Sequence, residues 1–312
     1  MNDAPRAETT VALAAEPAGP WRLAWRRLRR NRAALFALGV LTILTVIALG
    51  APLWAPYDYA RQFQGAERVP PGWSGEVRDA ANGDLRASRH WLGTDDNGRD
   101  TLSRIVYGAR VSLLVGILAT LVSLVMGVAV GLVAGFHGGW LDAALMRVTD
   151  TVYAFPSVLL AVAITAVFDR PSLWVVFLAL GLVGWTGIAR LVRSQVLTVK
   201  TLDYITAARA MGAGSGRILV RHVLPNCLGP IVVAGTLALG GNILGEAGLS
   251  FLGLGVQEPY PSWGGMLANA RQNYQYYWWL AVFPGAAIVV TVLAFNLFGD
   301  GLRDALDPRA RR

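Results

Sequence analysis

The chain has few of the residue types that build metal or redox sites. Its 312 residues include one cysteine and three histidines. A single cysteine, Cys227, excludes an intrachain disulfide framework and a cysteine zinc cluster. His90, His137 and His222 are too far apart in sequence to predict one metal site. Only one lysine is present, Lys200, and it lacks the preceding glycines of a phosphate-binding G-x-x-x-x-G-K-[ST] loop. We therefore expect this chain to bind no cofactor, and no ATP by that route.

Charge is also scarce. Charged residues make up 15 % of the chain against 54 % hydrophobic residues, and the mean hydropathy is +0.45. This balance is typical of a membrane protein rather than a soluble domain. About 20 apolar residues of helix cross the roughly 30 Å hydrocarbon core of a bilayer. Six stretches are long enough: 33–54, 111–136, 151–168, 172–189, 226–249 and 278–298.

The spans divide the chain into segments. We predict a cytoplasmic N-terminal segment (1–32), a first transmembrane helix (33–54), an external loop (55–110), a five-helix core (111–300) with a cytoplasmic loop at 190–223, and a cytoplasmic tail (301–312). The first apolar run is too long for a signal peptide and has no small-residue cleavage pattern, so it predicts a retained anchor. Segments assigned inside carry 18 Lys and Arg residues and those outside carry 10, which places both termini in the cytoplasm.

Glycine is frequent within the spans. Small residues about one helical turn apart let helices approach closely in a membrane. The pattern indicates either a tightly packed bundle or a conduit whose helices slide past each other, and it does not separate the two. The glycines concerned are Gly116, Gly127, Gly131, Gly135, Gly235, Gly240, Gly241, Gly245 and Gly248.

The longest inside loop contains a short helix of its own. Thr201 or Asp203 is suited to cap its start, the alanines that follow favour helix, and Gly212 supplies the left-handed residue that ends it. A glycine-rich break follows, then a further turn or two of helix over 217–223. We predict a helical elbow whose smooth alanine face lies in a partner's groove.

The elbow carries a recognisable signature. Ala207-Ala208, three residues, Gly212, nine residues and then His222-Val223-Leu224-Pro225 resemble the E-A-A-x-x-x-G-x9-I-x-L-P motif of inner-membrane subunits of ABC importers. Thr206 stands where the general motif has Glu, and His222 where it has Ile. The resemblance implies that the elbow docks on an ATPase, through Tyr204, Thr206, Ala207, Ala208, Arg209, Met211, Gly212, His222, Leu224 and Pro225.

Further motifs extend the resemblance over about residues 21–309. They are the runs 90–100, 251–259, 261–264 and 299–308, and they are similar to the second permease type of the oligopeptide/dipeptide branch. The resemblance implies an all-α polytopic protein with six transmembrane helices and the type I ABC importer permease fold, located in the bacterial inner membrane. The resemblance also implies that the chain is not itself an enzyme.

The resemblance also implies partners. They are a homologous permease, two cytoplasmic ATPase subunits that hold ATP and magnesium, an extracytoplasmic binding protein and membrane lipid, with no nucleic acid. The substrate would be a peptide, since the run 256–259 favours oligopeptides. The same branch also serves dipeptides, nickel complexes, glutathione and some sugars.

Several other residues admit two readings. Asp95, Asp96, Arg99 and Asp100 resemble a catalytic carboxylate cluster, but the glycines among them favour an ordered turn that caps the following helix. Glu246 is either a buried pathway residue or a residue of the outer interface. Phe155-Pro156 would kink or begin the third span rather than touch substrate. An aromatic belt at the membrane interface is predicted from Tyr274, Tyr276, Tyr277, Trp278 and Trp279.

Two other classes of protein compete with this interpretation. A self-contained secondary transporter or channel is expected to show an inverted repeat, broken half-helices or a charge pair at mid-membrane, and no clear case is found. An intramembrane hydrolase needs a paired nucleophile and base inside the spans, yet every histidine lies outside the predicted spans. Copurification of ATPase partners separates the importer subunit from both.

Overall fold

The computed structural model describes residues 20–168 and 172–307. Within them lie helices α1 (Pro20–Leu28), α2 (Arg32–Leu49), α3 (Ala51–Trp54), α4 (Thr101–His137), α5 (Gly139–Ala154), α6 (Ser157–Thr165), α7 (Leu173–Val199), α8 (Asp203–Ala210), α9 (Ser215–Ile218), α10 (Leu224–Phe251), α11 (Trp263–Ala270) and α12 (Trp279–Leu306). A π-helical turn, Leu219–Val223, joins α9 to α10.

Within the described residues, five stretches of helix are long and apolar enough to cross a membrane. They are α2, α4, α7, the continuous run Ser215–Phe251 and α12. A sixth crossing is available only if α5 and α6 count as one span, since they meet at an angle of 86°. The predicted third span, 151–168, thus contains a sharp bend, and the predicted kink at Phe155-Pro156 is confirmed. Pro156 forces Phe155 into extended backbone, with φ −78° and ψ 136°, which ends the helix.

Three helices run past the predicted ends of their spans. α4 begins at Thr101 rather than residue 111, α7 continues to Val199 rather than residue 189, and α12 continues to Leu306 rather than residue 298. Hydropathy marks only the part of a helix inside hydrocarbon, whereas the helical hydrogen bonds continue into water. The external loop is accordingly shorter than predicted, and the described part of the tail is mostly helix.

The tightest helix pair is α4 with α7. Gly127, Gly131 and Gly135 lie one turn apart on α4 and face α7. A Cβ added at Gly131 would lie 2.5 Å from the carbonyl oxygen of Ala189, closer than real atoms approach. Tight packing is thus confirmed for this pair. Not every glycine of the spans allows a close approach between helices, since no atom lies within 4 Å of a Cβ added at Gly241.

A small sheet sits before α4. Its strands are β1 (Phe63–Gln64), β2 (Trp73–Asp79) and β3 (Leu85–His90), all antiparallel in the order β1-β2-β3. The protein is mostly helical, as predicted, and the sheet is an addition that apolar periodicity did not indicate. A local signal was present, because Asn82-Gly83 between β2 and β3 is typical of a hairpin turn, and Gly83 has a φ of +74°.

The sheet and the elbow lie at opposite ends of the molecule. α4 has 37 residues, which at 1.5 Å per residue corresponds to a helix about 55 Å long. The sheet precedes its first residue, and its last turn packs against the residues that lead into α8. One end of the bundle therefore presents a polar, sheet-containing cap, and the other presents the elbow.

Candidate functional site

The elbow begins without a side-chain cap. Leu202 occupies the N-cap position in extended backbone, and its side chain makes no capping hydrogen bond. The hydroxyl of Thr201 instead donates to the carbonyl of Thr198 at 2.9 Å. Asp203 is the first helical residue, where its charge favours the positive end of the helix dipole. The prediction that Thr201 or Asp203 caps α8 is therefore wrong.

The elbow ends as predicted. Gly212 has a φ of +81°, in the left-handed region. Its N–H donates to the carbonyl of Arg209 at 2.9 Å, and the N–H of Ala213 donates to the carbonyl of Ala208 at 3.0 Å. This pair of bonds is the Schellman arrangement, which satisfies the last carbonyls of a helix. The α8 helix is therefore closed at a fixed length.

The inner face of α8 holds it to the bundle. Ile205 is fully buried in a cluster with Val196, Val199 and Ile218. Ala208 is three residues further along the same helical face and is 5 % exposed. The prediction that Ala208 faces an ATPase groove is wrong, because this chain already covers it. Ile205 determines which face turns inward, since it is the large apolar residue of the helix interior.

The outer face of α8 carries most of the remaining predicted contact residues. Tyr204, Thr206, Ala207 and Arg209 are all exposed, and Met211 is 82 % exposed. These side chains form what we call the elbow face. It has one small position, Ala207, flanked by larger side chains, and it is exposed on the surface of this chain.

A continuous run of helix, Ser215–Phe251, follows the elbow. The N–H of Leu224 bonds to the carbonyl of Leu219, five residues earlier, so the junction with α10 is a π turn. Such turns are rare and concentrate at functional sites. His222 lies in this turn, with its ring centroid 6.5 Å from that of Tyr204 on α8. Leu224 and Pro225 are the first residues of α10, and Pro225 has no N–H to donate to a carbonyl of the preceding turn.

Ion pairs brace the helices behind the elbow. Arg193 on α7 donates two hydrogen bonds to the carboxylate of Asp142 on α5, at 2.6 and 2.7 Å. Arg190 binds Asp150 at 2.7 Å. Both arginines lie in the part of α7 that extends beyond its predicted end, so this helix continues as a braced support for α8.

The opposite end carries a second polar cluster. Asp100 caps α4 by accepting from the N–H of Ser103 at 2.8 Å, and it also binds His90 at 2.9 Å. Asp95 accepts from the side chain of Arg99 at 2.7 Å. The ordered-turn reading of this motif is thus confirmed.

Arg99 extends the cluster to the loop after α10. It donates to Glu258 at 2.8 Å and so joins two of the sequence motifs, 90–100 and 251–259. This hydrogen bond holds the pKa of Glu258 below its ordinary value. Sequence reasoning did not identify Glu258 as part of this cluster, since its partner lies 159 positions away.

Glu246 is closed off inside the bundle. It is 0 % exposed and accepts hydrogen bonds from Ser250 at 2.7 Å and from Ser112 at 3.2 Å. Burial within the chain does not fix the depth of Glu246 in the membrane, so the outer-interface reading stays a prediction. A role in the pathway stays a prediction.

Trp279 is buried as well, with its indole N–H donating to the carbonyl of Thr94 at 3.3 Å, so it does not belong to a belt with the exposed Trp278.

Comparison with known families agrees with these features. Residues 127–312 match the family described as binding-protein-dependent transport system inner membrane component, and residues 19–71 match the N-terminal TM domain of oligopeptide transport permease C. The chain belongs to this family of inner-membrane transport components and is a multi-pass membrane protein.

Individual relatives cover almost the whole chain. It is 46 % identical over 305 residues to the dipeptide transport system permease protein DppC of Escherichia coli K12, covering 98 % of each chain. It is 42 % identical over 311 residues to the di/tripeptide transport system permease protein DppC of Pseudomonas aeruginosa, covering 100 % of this chain and 98 % of the relative. It is also 44 % identical over 292 residues to the glutathione transport system permease protein GsiD of Pectobacterium atrosepticum, covering 94 % and 92 %.

A solved structure confirms the fold. A chain of the inward-facing MetNI methionine ABC transporter superimposes with a TM-score of 0.56 at 20 % identity, covering 65 % of this chain and 96 % of that one. The predicted type I importer permease fold is therefore confirmed.

Proposed function

We propose that this chain is a permease subunit of an ATP-driven importer that carries short peptides across the inner membrane. It lines the path together with a homologous permease, and two ATPase subunits and an external binding protein complete the transporter. The names of the relatives support a peptide substrate, and glutathione, itself a small peptide, belongs to the same chemical class.

The elbow face is the proposed site of energy coupling. Its helix is held to the bundle by the buried Ile205 and ends at Gly212 with its last carbonyls hydrogen-bonded. The helix therefore moves as a rigid unit when the ATPase moves, rather than unwinding. From α9 the chain continues through the π turn into α10. Movement of a docked ATPase would therefore shift α10, provided that the ATPase binds the elbow differently in its two states.

The observation that carries this proposal is the division of α8 into a buried and an exposed face. Ala207→Arg places a large charged side chain on the elbow face without touching the core. It should release the ATPase subunits on purification and abolish uptake, while thermal stability stays unchanged. Ala208→Arg instead places the charge in the buried face, and it should lower stability as well. Ser215→Ala, at the first residue of α9, is the control and should change neither property.

Wild-type ATPase association and transport in Ala207→Arg would contradict the coupling role. The two alanines are adjacent and chemically identical, so their difference reports only the direction in which each side chain points. An unchanged thermal stability of Ala208→Arg would instead contradict the assignment of Ala208 to the buried face of α8.

Transport itself is tested by reconstitution. The assembled transporter in vesicles, supplied with binding protein and ATP, should accumulate a labelled dipeptide or oligopeptide, and unlabelled peptide should compete. Stronger competition by a nickel chelate than by peptides would contradict the substrate class. Flux through this chain alone would instead support a self-contained transporter.

Both termini are proposed to lie in the cytoplasm. Reporter tags at residue 5, within 214–216 and at residue 311 should report the cytoplasm, and tags near Gly83 and Asn269 should report the outside. Gly83 and Asn269 belong to the same end of the molecule, since Asn269 donates to Glu258 in the Arg99 cluster. A cytoplasmic signal at Gly83 would overturn the orientation.

A further inference from the structure

The first helix, α1, is fixed on the last one. Ala24 and Leu28 are buried against Ala305 of α12. The guanidinium of Arg27 donates to the backbone carbonyl of Asp307 at 2.9 Å, just beyond the end of α12. One face of this nine-residue helix is thus occupied by the protein itself, and the orientation of the opposite face is set.

The opposite face is cationic. Exposed arginines follow one another along α1 and into the start of α2, at Arg22, Arg26, Arg29, Arg30 and Arg32. None of these five forms an ion pair with a carboxylate of residues 20–168 or 172–307. Trp25 is 47 % exposed on the same helix, and the guanidinium of Arg29 lies 5.2 Å from its ring centroid. We call these five arginines with Trp25 the basic platform.

The platform lies at the edge of the bilayer. Leu28, the last residue of α1, and Arg32, the first residue of the apolar helix α2, are four positions apart, at most about 14 Å of chain. Asn31 fixes the junction, because its side chain accepts from the N–H of Ala34 at 3.1 Å. Immediately beyond it, Phe36 is 71 % exposed on α2. A cationic surface therefore adjoins an apolar one, with a tryptophan of the kind that prefers the headgroup level.

We propose that the basic platform binds the phosphate headgroups of anionic phospholipids, with their acyl chains along the exposed apolar face of α2. Guanidinium groups present paired donors that match phosphate oxygens, and clustered arginines beside a membrane span favour anionic lipid. The apolar surface next to the arginines points to a lipid rather than to free phosphate. The proposal rests on the membrane location of the chain and not on the peptide substrate.

The alternative is that these arginines serve only to orient the chain during membrane insertion. They would leave the finished protein with no preference among lipids. A preformed headgroup site, in contrast, retains anionic lipid through purification and prefers it in titrations. Lipid preference in the folded protein is therefore the property to measure.

The test compares two triple variants of the full chain, purified in detergent with the subunits that accompany it. Arg22, Arg26 and Arg30 are changed to Gln on the platform, leaving Arg29 on its tryptophan. Arg78, Arg86 and Arg89, exposed on β2 and β3, are changed to Gln as a control with the same loss of charge. Retained phospholipid is measured by mass spectrometry, and the shift in unfolding temperature is measured with added phosphatidylglycerol, phosphatidylcholine or inorganic phosphate.

The unaltered protein should retain phosphatidylglycerol and gain stability from it, but not from phosphatidylcholine or inorganic phosphate. The platform variant should bind phosphatidylglycerol about a hundredfold more weakly, and the sheet variant should bind it normally. Equal retention in the two variants would overturn the proposal. A stability gain from inorganic phosphate that matches the gain from phosphatidylglycerol would overturn the assignment to lipid.

Loss of three arginines can also disturb membrane insertion, so two further measurements support the test. The Arg→Lys version of the platform variant keeps the charge and should keep the preference for phosphatidylglycerol. Binding of this lipid to the unaltered protein should weaken as salt is raised, because screening reduces attraction between charges. An unaltered protein that shows no preference for phosphatidylglycerol over phosphatidylcholine would overturn the proposal without any variant.

Discussion

Lys200 donates a hydrogen bond from its ammonium group to the backbone carbonyl of Gly135 at 2.7 Å. The only lysine of the chain thus joins the residue after α7 to the last turn of α4. A cation at the C-terminal end of a helix satisfies carbonyls that have no partner within the helix and favours its dipole. The entry to the elbow is in this way tied to the longest helix of the bundle.

Lys200→Met should loosen the elbow locally. The substitution keeps most of the length of the side chain but leaves the Gly135 carbonyl without its charged donor, a loss of about 1 kcal/mol at this half-buried position. Amide hydrogen exchange over 202–212 should become faster, while the middle of α4 keeps its protection. Arg217→Met, an exposed residue of α9, is the control. Unchanged exchange in the elbow of Lys200→Met would show that the tie has no structural effect.

Gly212→Ala should weaken coupling through backbone strain alone. Nothing lies within 4 Å of a Cβ added at Gly212, so the cost comes from its φ of +81° and is about 1 kcal/mol. Gly212→Val should cost more. Less ATPase subunit should copurify and uptake should fall, while the companion permease stays bound through the membrane helices.

Gly216→Ala is the matched control for Gly212. An added Cβ also meets open space there, but the residue lies in α9 with ordinary helical backbone. The same methyl group should leave coupling intact and slightly favour the helix. Equal behaviour of the two variants would rule out the left-handed stop as the cause.

Gly131→Ala should separate α4 from α7. The new methyl group would overlap the carbonyl of Ala189 and lie 2.7 Å from the Cβ of Val192. Overpacking of this kind costs about 1–3 kcal/mol, so the unfolding temperature of the purified protein should fall. Gly187→Ala on α7, where no atom lies within 4 Å, should leave it nearly unchanged. A similar stability in both variants would contradict the close approach of the two helices.

The Arg99–Glu258 pair predicts a dependence on acid. Arg99 lowers the pKa of Glu258 below its ordinary value of 4.5. Ionised Glu258 therefore stabilises the folded protein at pH values above 4.5, and this contribution disappears as the pH falls through the lowered pKa. Glu258→Gln should be less stable than the unaltered protein at neutral pH, and the difference should shrink as the pH falls below 4.5.

Glu76→Gln, on the exposed side of β2, is the control for Glu258 and should behave as the unaltered protein. Asp79 also has a lowered pKa, because Arg61 donates to it, so every variant keeps some acid sensitivity. Only the difference between Glu258→Gln and the unaltered protein is informative. A difference that does not change with pH would contradict the pairing.

The sequence predicted the features that depend on strong local signals. Apolar runs located the membrane helices, and Gly212 located the end of the elbow because glycine is the residue best suited to a left-handed stop. The inward face of α8 was not predictable in the same way. Ala207 and Ala208 are the same residue type, and only the packing of Ile205 against α7 and α9 distinguishes them.

The remaining differences have other physical causes. Helix ends outside hydrocarbon carry charge, so hydropathy stopped short of the last turns of α7, where Arg193 pairs with Asp142. The partnership of Arg99 with Glu258 joins positions 159 residues apart, which no local pattern indicates. The sheet depends on pairing between short polar strands. The burial of β2 alternates, but its more buried positions are Trp73, Gly75, Val77 and Asp79, which give no regular apolar pattern.

The central claim is that the elbow face contacts an ATPase, and crosslinking tests it most directly. Cys227 is buried and is the only cysteine, so Cys227→Ala gives a background free of thiols. In that background, Ala207→Cys should form a crosslink to the ATPase subunit in the assembled transporter, and the yield should change when ATP is added. Ser74→Cys, exposed on β2 at the other end of the molecule, should give none. Failure of Ala207→Cys to reach the ATPase, or capture of the ATPase by Ser74→Cys, would contradict the account.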